Sequence, residues 1–154
     1  MPADEAEIER LLVTYATALD TKDWALLASC FTPDCQARYQ DKVFDDREHL
    51  CRTMRKLHDP LDSSLHRISN VAASVMGDHA TSVSYVDALL VHTGHTDGPL
   101  YRVAGRYEDE LVRHRGQWLI RKRTFEPYWV WERTESLQPS SQSRAVLARV
   151  PVRD

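Results

Sequence analysis

The side chains in this chain best suited to acid-base chemistry are Asp20, His66, Tyr39 and His92. Asp20 follows an apolar stripe, Ile8, Leu12, Ala16 and Leu19, in the last turn of what the spacing predicts as a helix. A carboxylate there faces the core at the negative end of the helix dipole, which disfavours an anion by roughly 0.3–1 kcal/mol. It requires a cationic or hydrogen-bonding partner from elsewhere in the chain. His66 is placed to be that partner. It lies in a β-rich stretch on the face opposite Arg67, and two-residue alternation turns it inward with Ile68 and Asn70. A carboxylate hydrogen-bonded to an imidazole fixes its tautomer and raises the basicity of the other ring nitrogen, giving a general base that works near neutral pH. The same pair also serves as a stabilising core contact, so residue type alone leaves both readings open.

The remaining histidines divide by position. His79 and His114 flank expected turns, and His49 and His58 lie on a segment dense in Arg and Lys, so all four read as solvated surface residues. His92 and His95, in His-Thr-Gly-His, raise the question of a metal. Catalytic zinc sites ordinarily need three protein ligands, and no carboxylate ligand is evident beside this pair, so neither metal nor cofactor is expected. His92 ends a long β-rich stretch and is expected at the pocket mouth as a proton donor. Tyr39 follows polar Gln36 and Arg38, and its hydroxyl needs a partner; a cavity-facing phenol suits it. Tyr15, Trp24, Trp118 and Phe125 occupy periodic positions typical of a core, with Tyr15 and Trp24 also counted as candidate substrate contacts.

The elements that must hold these groups follow from periodicity. Residues 5–20 carry Ile8, Leu11, Leu12, Tyr15, Ala16 and Leu19 at helical spacing, a short second helix runs from Trp24 to about Phe31, and Thr32-Pro33-Asp34 stops it. Residues 35–44 alternate as strands around a turn at Asp41-Lys42, and Asp45-Asp46 starts a third helix that Pro60 ends. The ranges 65–76, 79–93, 100–114 and 117–131 then read as four strands in a meander, broken at Gly77-Asp78, a longer Gly-containing loop and Arg115-Gly116. Three helices followed by a curved antiparallel sheet define an α+β layout with a pocket between the layers. Residues 1–132 are assigned to the domain and 133–154 to a C-terminal tail, a candidate lid that closes the pocket together with the segment around Trp129.

The totals restrict the partners. A chain of 154 residues is most economically one domain. With 20 basic and 23 acidic side chains and a net charge of -3, it has no cluster of Lys and Arg interleaved with aromatics, so nucleic acid is not expected. No stretch approaches the length of an apolar membrane span, and three cysteines without a C-x-x-C pattern indicate reduced thiols, so a cytoplasmic location is expected. Phosphate-loop, Gly-x-Ser-x-Gly and His-Glu-x-x-His motifs are absent.

Taken together, Asp20-Thr-Lys-Asp-Trp24, Tyr39, the Leu-His66 strand opening, Gly105-Arg-Tyr-Glu-Asp-Glu-Leu and Gly116-Gln-Trp resemble the SnoaL-like superfamily over residues 5–131. That group shares the cone-shaped α+β barrel of ketosteroid isomerase and nuclear transport factor two. Within it, the likeness to the scytalone dehydratase family is the most evident: Asp20 and Tyr39 keep that family's spacing, and its two site histidines correspond to His66 and His92. The Asp-His pair is also similar to the dyad of the hexachlorocyclohexane dehydrochlorinases. The resemblance implies a cofactor-independent lyase or, on the same machinery, a polyketide cyclase or an isomerase. It implies a small hydrophobic or aromatic substrate, site contacts near Arg106 and Glu108, and a homo-oligomer, dimer or trimer. The fold also serves as a non-catalytic ligand binder or scaffold subunit. Where scytalone dehydratases carry a second tyrosine before the aspartate, this chain has Leu19, so a different substrate is expected.

Overall fold

A computed structural model describes residues 2–134. Helix α1 (Pro2–Thr21) and the short α2 (Trp24–Ser29) lead into β1 (Phe31–Tyr39) and β2 (Lys42–Phe44). Helix α3 (Arg47–His58) follows, and then the strands β3 (Ser63–Met76), β4 (His79–Val91), β5 (Leu100–His114) and β6 (Gln117–Thr134). The boundaries have local causes. Asp23 and Asp46 cap α2 and α3, their carboxylates accepting from the backbone N–H of Leu26 and His49 at 3.0 and 2.7 Å. Helix α3 stops before Asp59-Pro60, whose ring cannot continue it.

One boundary departs from expectation. Helix α2 ends at Ser29, and Pro33 sits inside β1 instead of stopping a helix. It is tolerated because the β1–β6 pairing breaks register between Phe31 and Gln36, so the missing N–H falls in an irregularity. The β1–β2 turn is Gln40-Asp41, one residue earlier than expected, with Gln40 at a left-handed φ of 59° and Tyr39 paired to Lys42.

The six strands form one mixed sheet in the order β2-β1-β6-β5-β4-β3. The meander of the last four strands is antiparallel throughout, and only β1 lies parallel to its neighbour β6. The sheet does not close on itself: β2 and β3 are its edges. The sheet carries the helices on one face, where Ile8, Leu12 and Leu19 of α1, Leu27 of α2 and Leu50 of α3 are essentially inaccessible. Gly105 marks a place where β5 and β6 come unusually close. A Cβ there would lie 2.2 Å from the Glu126 carbonyl oxygen, at a step in the β5–β6 register. The expected domain end at residue 132 falls inside β6, and the tail assigned as a lid lies, beyond Thr134, outside the described residues.

Candidate active site

Asp20 reaches from the last turn of α1 to the edge strand β3. Because β3 has no neighbour on its outer side, its outward N–H groups need other acceptors. Asp20 serves as one, and period-two alternation puts Ser64 and His66 on the same face beneath it. Its Oδ2 accepts from the His66 backbone N–H at 2.9 Å, and its Oδ1 accepts from Ser64 Oγ at 2.8 Å and lies 2.7 Å from His66 Nδ1. Burial pushes the Asp20 carboxyl up, but the hydrogen bonds from the His66 ring, the His66 backbone and Ser64 outweigh it and hold it below the usual carboxylate range. An ionised Asp20 has no proton to give, so Nδ1 carries a hydrogen, and in the neutral ring Nε2 carries the lone pair. The His66 side chain is only 6% exposed.

His66 lines a cavity of about 330 Å³ between the helices and the sheet. This is within the size range of small-molecule sites, and its walls are mostly apolar, including Leu19, Phe44, Met54, Leu61, Val86 and Phe125. Tyr15 and Tyr39 also line it, and their hydroxyls are 2.9 Å apart. Two phenols therefore meet in the cavity despite Leu19, because Tyr15, one helical turn before it, supplies the second. Burial drives the Tyr39 phenol well above its ordinary pKa, and the adjoining Tyr15 adds to this. It is a hydrogen-bond donor, not an anion.

Behind the phenols lies a buried cation that sequence reasoning missed. Arg123 is fully buried and makes a two-pronged pair with Asp109, both bonds 2.7 Å. Its guanidinium carbon lies 4.2 Å from the Tyr15 ring centre and 4.0 Å from that of Tyr107. Burial opposes its charge, but Asp109 prevails and the group stays protonated. Its positive charge counteracts the rise of the Tyr39 pKa, making that phenol a better donor. A signal was available: Asp109 and Arg123 stand directly opposite in the β5–β6 ladder, in phase with inward Tyr107 and Leu111.

The structure brings together Asp20, His66, Tyr39 and Tyr15 and places the other candidates elsewhere. His92 is at the base of the β4–β5 loop, its ring 5.6 Å from that of His95 and off the cavity wall. Asn70 is exposed, because a bulge between Ser69 and Ala72, with Asn70 at a φ of 51°, resets the alternation. Arg106 and Glu108 lie out of phase with cavity-lining Val103 and Tyr107 and pair with each other on the outer face, where Arg106 also holds Glu126. Trp129 is 70% exposed and is not in the cavity wall. Trp24 touches the site indirectly, edge-on to His58 at 6.3 Å. His58, assigned to the surface from its basic neighbours, is buried and lines the cavity, because it sits on the inner face of α3 with Leu50 and Met54. Among the described residues no group of three or more His, Cys, Asp or Glu is arranged to hold a metal ion, and no helix is long and apolar enough to cross a membrane.

An open-edged mixed sheet with three helices over a cavity defines an α+β cone of the nuclear transport factor two type. Residues 2–124 match the SnoaL-like domain, and the chain belongs to that family. Solved structures of similar shape include a candidate scytalone dehydratase from Novosphingobium aromaticivorans, with a TM-score of 0.78 and 24% identity over 84% of this chain and 87% of that one. A type 2 hexachlorocyclohexane dehydrochlorinase, LinA, has a TM-score of 0.74 and 19% identity over 84% and 88%. A candidate dehydratase of the NTF2-like family from Streptomyces avermitilis has a TM-score of 0.74 and 16% identity over 84% and 99%. Among curated proteins there is no match. At these identities the structural likenesses establish the fold.

Proposed function

We propose that the protein is a cofactor-independent lyase that dehydrates a cyclic or polyketide-derived β-hydroxyketone. The observation that carries this reading is the 2.7 Å hydrogen bond between Asp20 and His66 at the wall of a ligand-sized apolar cavity. Nε2 of His66 removes a proton from the carbon next to the carbonyl, and Asp20 stabilises the imidazolium that forms. Tyr39, hydrogen-bonded to Tyr15 and backed by Arg123, donates to the carbonyl oxygen as enolate charge grows. When the enolate collapses, the β-carbon–oxygen bond breaks. The imidazolium returns its proton to the departing hydroxide, so water leaves and neutral His66 is restored. This assigns the acid step to His66 itself, since His92 is off the cavity wall.

The same single base and phenol pair also suit an isomerase or cyclase, which moves a proton without expelling hydroxide. That reading is favoured because His92, the expected proton donor to a leaving group, is off the cavity wall. Product mass separates the two. Incubation with a panel of cyclic β-hydroxyketones should yield products lighter by one water, about 18 Da. Products of unchanged mass would replace the dehydratase with the isomerase.

A further inference from the structure

The cavity contains a second imidazole that the reaction above leaves unused. His58, the last residue of α3, is 5% exposed, and its Nδ1 lies 2.8 Å from the Met54 carbonyl oxygen. A carbonyl only accepts, so the ring hydrogen is on Nδ1 and the lone pair is on Nε2. Burial lowers the pKa of this imidazole, and His66 adds to the effect, so the ring is neutral near pH 7. Nε2 is buried and has no hydrogen-bond partner among the described residues. The side chain forms part of the cavity wall, its ring 5.6 Å from that of His66. An acceptor withdrawn from water and left unpaired is unfavourable until a donor reaches it.

We propose that His58 is a recognition residue for a hydroxyl group on the substrate, its Nε2 accepting from an alcohol or phenol O–H at a position other than the one that reacts at His66. The tautomer gives this contact a sign. A hydroxyl is welcome, whereas an ether or carbonyl oxygen would set one lone pair against another. The cavity therefore selects hydroxylated rings over alkylated ones of similar size, so the substrate carries a hydroxyl for His58 besides the carbonyl for Tyr39 and any group that reacts. The inference rests on reading this cavity as the substrate site, not on the reaction assigned to it.

The test is equilibrium binding of 2-naphthol and 2-methoxynaphthalene to the native protein, His58→Asn and His58→Phe, with two-bond proton–nitrogen spectra of the histidines. Asn keeps an N–H for the Met54 carbonyl while removing Nε2; Phe removes both ring nitrogens. In native protein the His58 Nε2 resonance should respond to 2-naphthol and not to the ether. The preference for 2-naphthol over the ether should fall about five- to tenfold in the variants, the size of one neutral hydrogen bond. An Nε2 resonance that ignores bound 2-naphthol, or a preference unchanged in both variants, overturns the assignment, and the native spectrum decides even if a variant fails to fold. If neither compound binds, the cavity is not a ligand site and both proposals fall. If the His58-dependent preference holds but no hydroxyketone is turned over, the recognition role stands and the reaction is wrong.

Discussion

Replacing Asp20 with Asn removes one charge and changes one acceptor oxygen into a donor, and the structure dictates what His66 must then do. Three donors converge on Asp20: Ser64 Oγ at 2.8 Å, the His66 backbone N–H at 2.9 Å and the His66 ring at 2.7 Å. If the amide oxygen takes the Oδ1 position, the amide NH2 points at the His66 backbone N–H, donor against donor, leaving a buried donor unpaired at about 1–3 kcal/mol. If the amide turns over, its oxygen keeps the backbone N–H, and its NH2 donates to Ser64 Oγ and to His66 Nδ1. Every contact is then satisfied, provided that the imidazole hydrogen moves to Nε2. The second arrangement wins by that margin, so Asp20→Asn should cost little stability, within about 1.5 kcal/mol, yet move the proton onto the nitrogen that must act as base. Two-bond proton–nitrogen spectra should show His66 as the Nδ1–H tautomer in native protein and Nε2–H in the variant. Turnover should fall by about two to four orders of magnitude, the usual contribution of a general base. A variant that keeps the Nδ1–H tautomer, or that keeps near-native turnover with the tautomer switched, would refute the reasoning.

Three further outcomes follow from the same geometry. Tyr39→Phe should lower turnover about 10²–10³-fold in steady-state assays with substrate binding little changed, since an oxyanion donor acts chiefly in the transition state; Tyr15→Phe should cost less, being one hydrogen bond further back. Breaking the buried pair with Arg123→Met should destabilise the protein by about 3–5 kcal/mol in urea denaturation, because Asp109 is left charged and buried, whereas the double replacement with Asp109→Leu should recover most of that loss. Stability should fall on acidification in two windows. His58 has a folded pKa below the ordinary 6.5, so the unfolded chain takes up its proton first, and stability declines as pH falls through about 6.5 toward the folded value. Asp20 is also held low, so its contribution is present above about pH 3.9 and disappears as pH falls through its folded value. Urea midpoints measured against pH should show the upper window diminished in His58→Asn.

The elements were legible because their signals are local. Helical spacing from Ile8 to Leu19 and turn chemistry at Gly77-Asp78 and Arg115-Gly116 needed no tertiary information. The Asp20–His66 pair was legible for a similar reason: a carboxylate in a poor place demanded a partner, and alternation offered one. What failed depended on phase. Asn70 faces outward because a bulge that its own sequence does not announce breaks the period, and Arg106 and Glu108, which the resemblance implies at the site, fall one residue out of step with the inward series Val103, Gly105 and Tyr107. His58 was hidden by its neighbours, since Arg52, Arg55 and Lys56 make the helix look wet on every side while Leu50, Met54 and His58 turn one face inward. Arg123 was hidden because a lone arginine in a strand ordinarily reads as exposed; only its cross-strand position opposite Asp109 indicates otherwise.

The central claim is that His66, held by Asp20, is the base of an elimination that needs no cofactor. The most direct measurement is turnover of cyclic β-hydroxyketones by native protein and by His66→Ala, with product mass and variant folding recorded together. Native protein should remove one water from substrate, and a folded His66→Ala variant should remove none. A folded variant that still releases water at the native rate would contradict it.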